Sequence, residues 1–181
     1  HKMVPTGQLA MAGGCALNGV ANARILRETP FTTPYLQAAA SDDGTCLGAA
    51  YVAWHQVLGR SERFHMKHAF WGPGYADERM RSVAEASGFL VKVCADDADL
   101  VETAAGLIAD GLVMGWYQGR SEWGPRALGN RSILANPAVA TMKETINAKI
   151  KRREPFRPFA PSVLKEDVGT YFEQTVDSPF M

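Results

Sequence analysis

Three arginines and one glutamate share thirteen residues with three glycines and a proline in GRSEWGPRALGNR, residues 119–131. A guanidinium is a rigid fork of donors that takes two oxygens of a phosphate or carboxylate at once, and glycine and proline keep a loop tight enough to aim it. A structural ion-pair network would need more than one acid for Arg120, Arg126 and Arg131, and Glu122 is the only acid in the stretch. Further on, KIKRREPFRPFAPS, residues 149–162, sets five basic residues among apolar and proline positions. Lys149 and Arg153, four apart, share a helix face, and the flanking prolines hold Arg157 in a fixed direction.

Nearer the start, GGCALNGVAN, residues 13–22, places Gly13 and Gly14 between an apolar stretch and a helical one. The free amides at such a helix start suit phosphate oxygens, and glycine lets a ligand come close to the backbone; a plain turn is the alternative. Asn18 and Asn22 lie one helical turn apart, on one face. Ser41-Asp42-Asp43-Gly44 offers two adjacent carboxylates that could ligate a hard cation or simply cap a helix. His55, His65 and His68 have no carboxylate at ligand spacing and read as surface or loop histidines.

The elements that must position these residues can be read from apolar periodicity and from glycine and proline. A strand over residues 7–12 runs through the glycine turn into a helix over 16–28. A second strand over 35–40 feeds the acidic turn and a helix over 45–58, and residues 59–74 read as a connecting loop. Then come a helix over 77–87, a β-branched strand over 89–94, a helix over 97–110 closed by Gly111, a strand over 112–117, another over 132–135 and a helix over 138–152. Prolines 155, 158 and 161 break the next stretch into extended pieces before a short helix near 167–172.

The chain has 181 residues, 46% hydrophobic and 21% charged, which suits one ordinary domain or parts of two and excludes a disordered tract. It begins within a strand and stops without a closing element, so it is expected to be a piece of something longer. There is no apolar run long enough to cross a bilayer and no signal-peptide pattern, so no membrane partner and a cytoplasmic location are expected. Cys15, Cys46 and Cys94 form neither a disulfide framework nor a zinc motif. Net charge is zero, but residues 119–165 hold ten basic and three acidic residues. That segment is +7 and the rest −7, a split that points to an anionic ligand held at one place.

The segments GRSEWGPRALGNRSILANP and INAKIKRREPFRPFAPSVL resemble the C-terminal region of the O-carbamoyltransferases of antibiotic and nodulation-factor biosynthesis. LAMAGGCALNGVANARIL and YLQAAASDDGTCLGAAYVAWH resemble the end of the same family's large catalytic domain. The resemblance implies an α/β fold: a fragment of an actin-like ATPase-fold lobe over residues 1–58, a linker over 59–76, and a partial acyl-adenylate-forming domain over 77–181. It implies a two-step reaction in which carbamoyl phosphate and ATP, with Mg2+, give carbamoyl-adenylate, and the carbamoyl group then passes to a hydroxyl of a small-molecule acceptor. Arg120, Arg126 and Arg157 become candidate catalytic residues. Arg131, Lys149, Lys151 and Ser162 become ligands of the donor and nucleotide, whose mutual repulsion a positive segment must offset. Position by position, the resemblance also places the adenylate phosphate beside Gly13, Gly14 and Asn18, and a metal, Fe2+ in the full-length enzyme, on Asp42 in preference to Asp43. The family's histidine metal ligands lie elsewhere, since this chain has no HxxxH segment. A nucleic-acid-binding module related to tRNA modification is the alternative, but the basic residues sit in glycine and proline loops rather than on an aromatic platform. A third reading, an interaction domain without a ligand, has the arginines making internal ion pairs only.

Overall fold

The computed structural model describes residues 4–173 and 177–181. They fall into two compact units: the first holds the described residues of 1–71, 122–128 and 177–181, and the second residues 72–121 and 129–173.

In the first unit β1 (Gln8–Met11) and β2 (Thr33–Leu36) are parallel, in register from Gln8 against Thr33 to Met11 against Leu36, with α1 (Gly19–Glu28) between them in sequence. Parallel neighbours need such a crossover. Sequence predicts the helix from residue 16. Instead a 3-10 turn, Gly14–Leu17, comes first, and α1 starts only after Asn18, whose extended backbone (φ −86°, ψ 93°) lets its side chain accept from the Ala21 amide at 3.2 Å. That is an N-cap. The second strand lies earlier than the predicted 35–40 and includes Pro34, which a strand with one partner among the described residues tolerates on its other side. Behind it Ala38, Ala39 and Ala40 are 2%, 1% and 4% exposed.

Those alanines are where other chain segments come closest. Ala38 packs with Met66 and Ala69, and Leu47, Trp123, Leu128 and Phe180 cover them. The stretch read as linker thus supplies two residues of this core. Trp123 donates its amide to the Ala69 carbonyl at 2.6 Å, and Gly124 comes next at φ 111°. A Cβ on Gly124 would stand 2.5 Å from the Ala38 oxygen, and one on Gly44 would run into the Ala39 oxygen. The helix predicted over 45–58 is α2 (Thr45–Val52) continued by a π-helical turn, Ala53–Val57, and neither contains a buried residue.

The second unit contains α3 (Asp77–Ala86), α4 (Asp97–Ala109), an antiparallel pair of β3 (Met114–Tyr117) and β4 (Arg131–Leu134), α5 (Met142–Thr145) and α6 (Val168–Tyr171). The Asp96 side chain caps α4 by accepting from the Asp99 amide at 2.9 Å. At the other end Gly111 takes φ 84°, with bonds from its own amide to Ile108 and from Leu112 to Leu107, the usual glycine stop. The long helix predicted over 138–152 reduces to α5 and a π-helical continuation, Ile146–Lys151. The strand predicted over 89–94 does not form. β-propensity amounts to fitting a pleated, half-buried surface, and here Leu90 is fully exposed and no described strand pairs with the segment. Among the described residues no helix is long and apolar enough to cross a membrane.

Two outcomes are expected. Gly124→Ala destabilises the first unit by about 2–4 kcal/mol, through the positive φ and the clash with the Ala38 carbonyl, read as a lower denaturant midpoint. Asp99 accepts from the Ala95 amide at 2.9 Å, with Lys92 and Thr103 acting in the same direction, and its carboxyl is held below the ordinary 3.8. Its stabilising contribution is therefore complete above the unfolded-state value and lost as pH falls through the lower folded one. Asp99→Asn should lower stability at neutral pH and match the parent in strong acid, in denaturant melts run across that range.

Candidate functional site

Both parallel strands of the first unit end on one side, and in open α/β sheets ligands bind beyond the carboxyl ends of such strands. Here those ends carry the two turns singled out by sequence. The Gly13 amide donates to the Ala40 carbonyl at 2.6 Å, and a Cβ on Gly14 would touch the Ser41 hydroxyl at 3.6 Å, so the glycine turn and the acidic turn are neighbours. Gly13 needs to be glycine for its φ of 91°, and nothing lies within 4 Å of where its Cβ would be. The turn is thus open on the side a ligand would use, and amides that open a helical turn lack intrahelical partners.

Beneath it, the Asn22 Nδ2 donates to the Ala16 carbonyl at 2.8 Å, while its Oδ1 is buried without a partner. Asn18, one turn earlier, is engaged as the cap of α1. Asp42 and Asp43 open a 3-10 turn, Asp42–Gly44, and both are exposed. Their backbone carbonyls, not their carboxylates, bond to Thr45 and Cys46, so neither acid caps α2 with its side chain. Among the described residues no three His, Cys, Asp or Glu side chains come together. Asp42 and its neighbour are thus not joined by a third such side chain among the described residues.

Arg126 joins this place. Its Nη2 donates to the Leu17 carbonyl at 2.7 Å, at the end of the turn that Gly14 begins, and the side chain is half-buried. One of five donors is used there, leaving the rest for an anion. The loop that sequence treats as one anion site is divided: residues 122–128 belong to the first unit, and Arg120 and Arg131 to the second.

In the second unit Arg131 lies 3.4 Å over the Tyr117 ring, and its two Nη atoms donate to the carbonyls of Gln118, Gly119, Asn130 and Pro73 at 2.7–3.4 Å. It braces the loop between β3 and β4. The Arg120 Nε donates to the Gly72 carbonyl at 2.8 Å, and its side chain borders an open groove with Gly72, Pro73, Gly74, Tyr75 and Gly119. Lys149 and Lys151 project from the π-helical segment into solvent, and Ser162 is exposed on the proline-broken stretch. Arg157 is half-exposed and pairs with Glu154 at 2.9 Å. Sequence reasoning misses Asn147, which is 1% exposed and bonds across the whole 152–157 stretch. Its only signal is position: one residue after Ile146 in the buried arc that starts at Met142.

Two family models match, one described as the carbamoyltransferase N-terminus over residues 2–51 and one as the carbamoyltransferase C-terminus over residues 105–181. Among curated relatives, nodulation protein NolNO of Sinorhizobium fredii is 44% identical over 96% of the chain and 26% of its own length. Nodulation protein NolO of Bradyrhizobium diazoefficiens is 42% identical over 100% and 34%. The 3'-hydroxymethylcephem-O-carbamoyltransferase of Streptomyces clavuligerus is 32% identical over 100% and 33%. The chain spans about a third or less of the length of these relatives. With one model matching its beginning and the other its end, the chain belongs to the carbamoyltransferase family.

Proposed function

We propose that this chain serves O-carbamoyl transfer, the passage of a carbamoyl group from a phosphorylated donor to a hydroxyl of a small molecule. One observation carries the reading most directly: the open glycine turn, the acidic turn and the half-buried Arg126 guanidinium meet at the carboxyl ends of β1 and β2. Backbone amides and one fixed cation there suit a phosphoryl group, and the family supplies the group to be moved.

In its finer form the reaction has two steps. Carbamoyl phosphate, ATP and one water give carbamoyl-adenylate, pyrophosphate and phosphate. The acceptor hydroxyl then attacks the carbamoyl carbon, its proton goes to a base, and AMP leaves. The glycine turn, with Asn18 fixing where α1 begins, holds the adenylate phosphate while Arg126 faces its charge. In the second unit Arg120, Arg157, Lys149, Lys151 and Ser162 receive the donor and the triphosphate, with Arg131 bracing the loop that carries Arg120. Lysines and arginines serve this purpose because donor and nucleotide are both anions that must be held together. Mg2+ would accompany the triphosphate. An iron at Asp42 would act as a Lewis acid and would take its other ligands from outside this chain's described residues. The acceptor is a hydroxylated secondary metabolite or sugar. The name of one relative points the same way, through a hydroxymethyl group.

Calorimetric titration of the protein with ATP and Mg2+, and separately with carbamoyl phosphate, tests the reading. Saturable binding is expected for both. Arg126→Ala should weaken the nucleotide about tenfold, the scale of one charge-assisted hydrogen bond. Binding of neither ligand by the full-length protein would overturn the proposal, as would an Arg126→Ala variant that loses stability yet binds ATP as tightly as its parent. The purified 181-residue chain, which spans about a third or less of its relatives' length, is expected not to O-carbamoylate any acceptor on its own; product detected by mass spectrometry would refute this.

A further inference from the structure

Five basic residues crowd positions 149–157, and the structure treats one of them differently from the rest. Lys149, Lys151, Arg152 and Arg157 are exposed, whereas Arg153 is half-buried. The Arg153 Nε donates to the Asn147 Oδ1 at 2.7 Å, its Nη2 donates to the Pro158 carbonyl at 3.2 Å, and the guanidinium lies 4.6 Å over the Phe159 ring.

Asn147 is the other half of this arrangement. At 1% exposure it is the most deeply buried polar side chain among the described residues. Its Nδ2 donates to the carbonyls of Pro155 at 3.3 Å and Arg157 at 3.0 Å, and its backbone carbonyl accepts from the Arg152 and Arg153 amides. Both amide donors and the side-chain oxygen are thus engaged, and each partner lies within the next ten residues. The chain must reverse sharply to allow this, and it does so at Arg152, a non-glycine residue at φ 48°. A left-handed conformation at such a residue persists only where surrounding bonds over-determine it.

The latch fixes the backbone of Arg157. Its carbonyl is tied to Asn147, its amide donates to Glu154 at 3.2 Å, and prolines flank it at 155 and 158. Its guanidinium, by contrast, pairs with the Glu154 carboxylate at 2.9 Å and is about half exposed. An exposed pair of this kind holds by less than about 1 kcal/mol, so an incoming anion can replace the carboxylate easily. A fixed backbone with an exchangeable counter-ion is what an anion-receiving arginine needs.

We propose that Asn147 and Arg153 are positioning residues that aim Arg157 at the phosphate of the carbamoyl donor, an inference that rests on the carbamoyl-transfer reading above. The amide does this by holding the Arg157 carbonyl and the Arg153 fork together. Asn147→Asp keeps the acceptor toward Arg153 but turns both donors into a carboxylate oxygen facing two carbonyls.

The test is a double-mutant cycle in the full-length protein, with carbamoyl phosphate affinity measured by calorimetry. Arg157→Ala is expected to weaken donor binding about tenfold, and Asn147→Asp to weaken it several-fold. The double variant should bind no worse than Arg157→Ala alone, because the asparagine acts through the arginine. ATP affinity should fall by less than donor affinity in each. Arg153→Lys, which retains the charge and loses the fork, serves if Asn147→Asp does not fold, and the same non-additivity is expected of it. A purely structural latch would lower the unfolding midpoint while leaving donor affinity of the folded protein unchanged, and that result would overturn the proposal. So would additive losses in the cycle. If Arg157→Ala itself leaves donor binding intact, the donor-site reading fails and the latch proposal with it; if only the latch variants are silent, the latch alone fails.

Discussion

The first unit is organised by one steric allowance, the missing side chain at Gly124. Because no Cβ stands there, residues 122–128 lie directly against the backbone of Ala38, itself a small residue behind β2. From that seat Trp123 reaches Ala69 and covers the core, Glu122 accepts from the Leu128 amide at 2.8 Å, and Arg126 extends to the Leu17 carbonyl. Any side chain at 124 would push the segment outward and take the guanidinium away from the glycine turn. A packing constraint in the core thus sets the electrostatics at the strand ends.

The second unit uses its cations in two ways. Arg131 donates to backbone carbonyls, Arg153 donates to the Asn147 side chain and the Pro158 carbonyl, and their guanidiniums lie over aromatic rings, Tyr117 and Phe159. Carbonyls are good partners for a weakly hydrated guanidinium, and the ring faces add a further attraction. Lys149, Lys151 and Arg157 remain outside. A net count of positive charge in the segment therefore overstates the charge open to a ligand, since part of it is structural.

Much of this is legible in the sequence. The glycine turn, the acidic turn, α1, α3, α4 and both strands of the antiparallel pair lie close to where periodicity and glycine or proline signals put them. The choice of neighbour for each segment is not legible. GRSEWGPRALGNR looks like one anion loop, and only the fit of Gly124 against Ala38 reveals that its middle belongs to one unit and its ends to the other. The run over 89–94 has strand propensity and no ladder to join. Asn147 gives a weak local signal, because an amide in a helical segment is ordinary until its bonds to residues far along the turn are seen. Asp42 and Asp43 suit a cap by residue type, yet their carboxylates stay exposed and only their carbonyls bond to the helix start.

The placement of residues 122–128 also shapes the order of assembly. β1, α1 and β2 are contiguous in sequence and can pair through a short crossover, whereas Trp123 meets Ala69 only after the intervening chain has been closed into a loop. Loop-closure entropy grows slowly with length but must be met before the contact returns anything, so local pairings form early and this one late. On the ribosome the glycine turn would emerge well before the arginine that faces it. The glycine turn and the guanidinium beside it thus arrive at different times, and they meet only when the later segment docks.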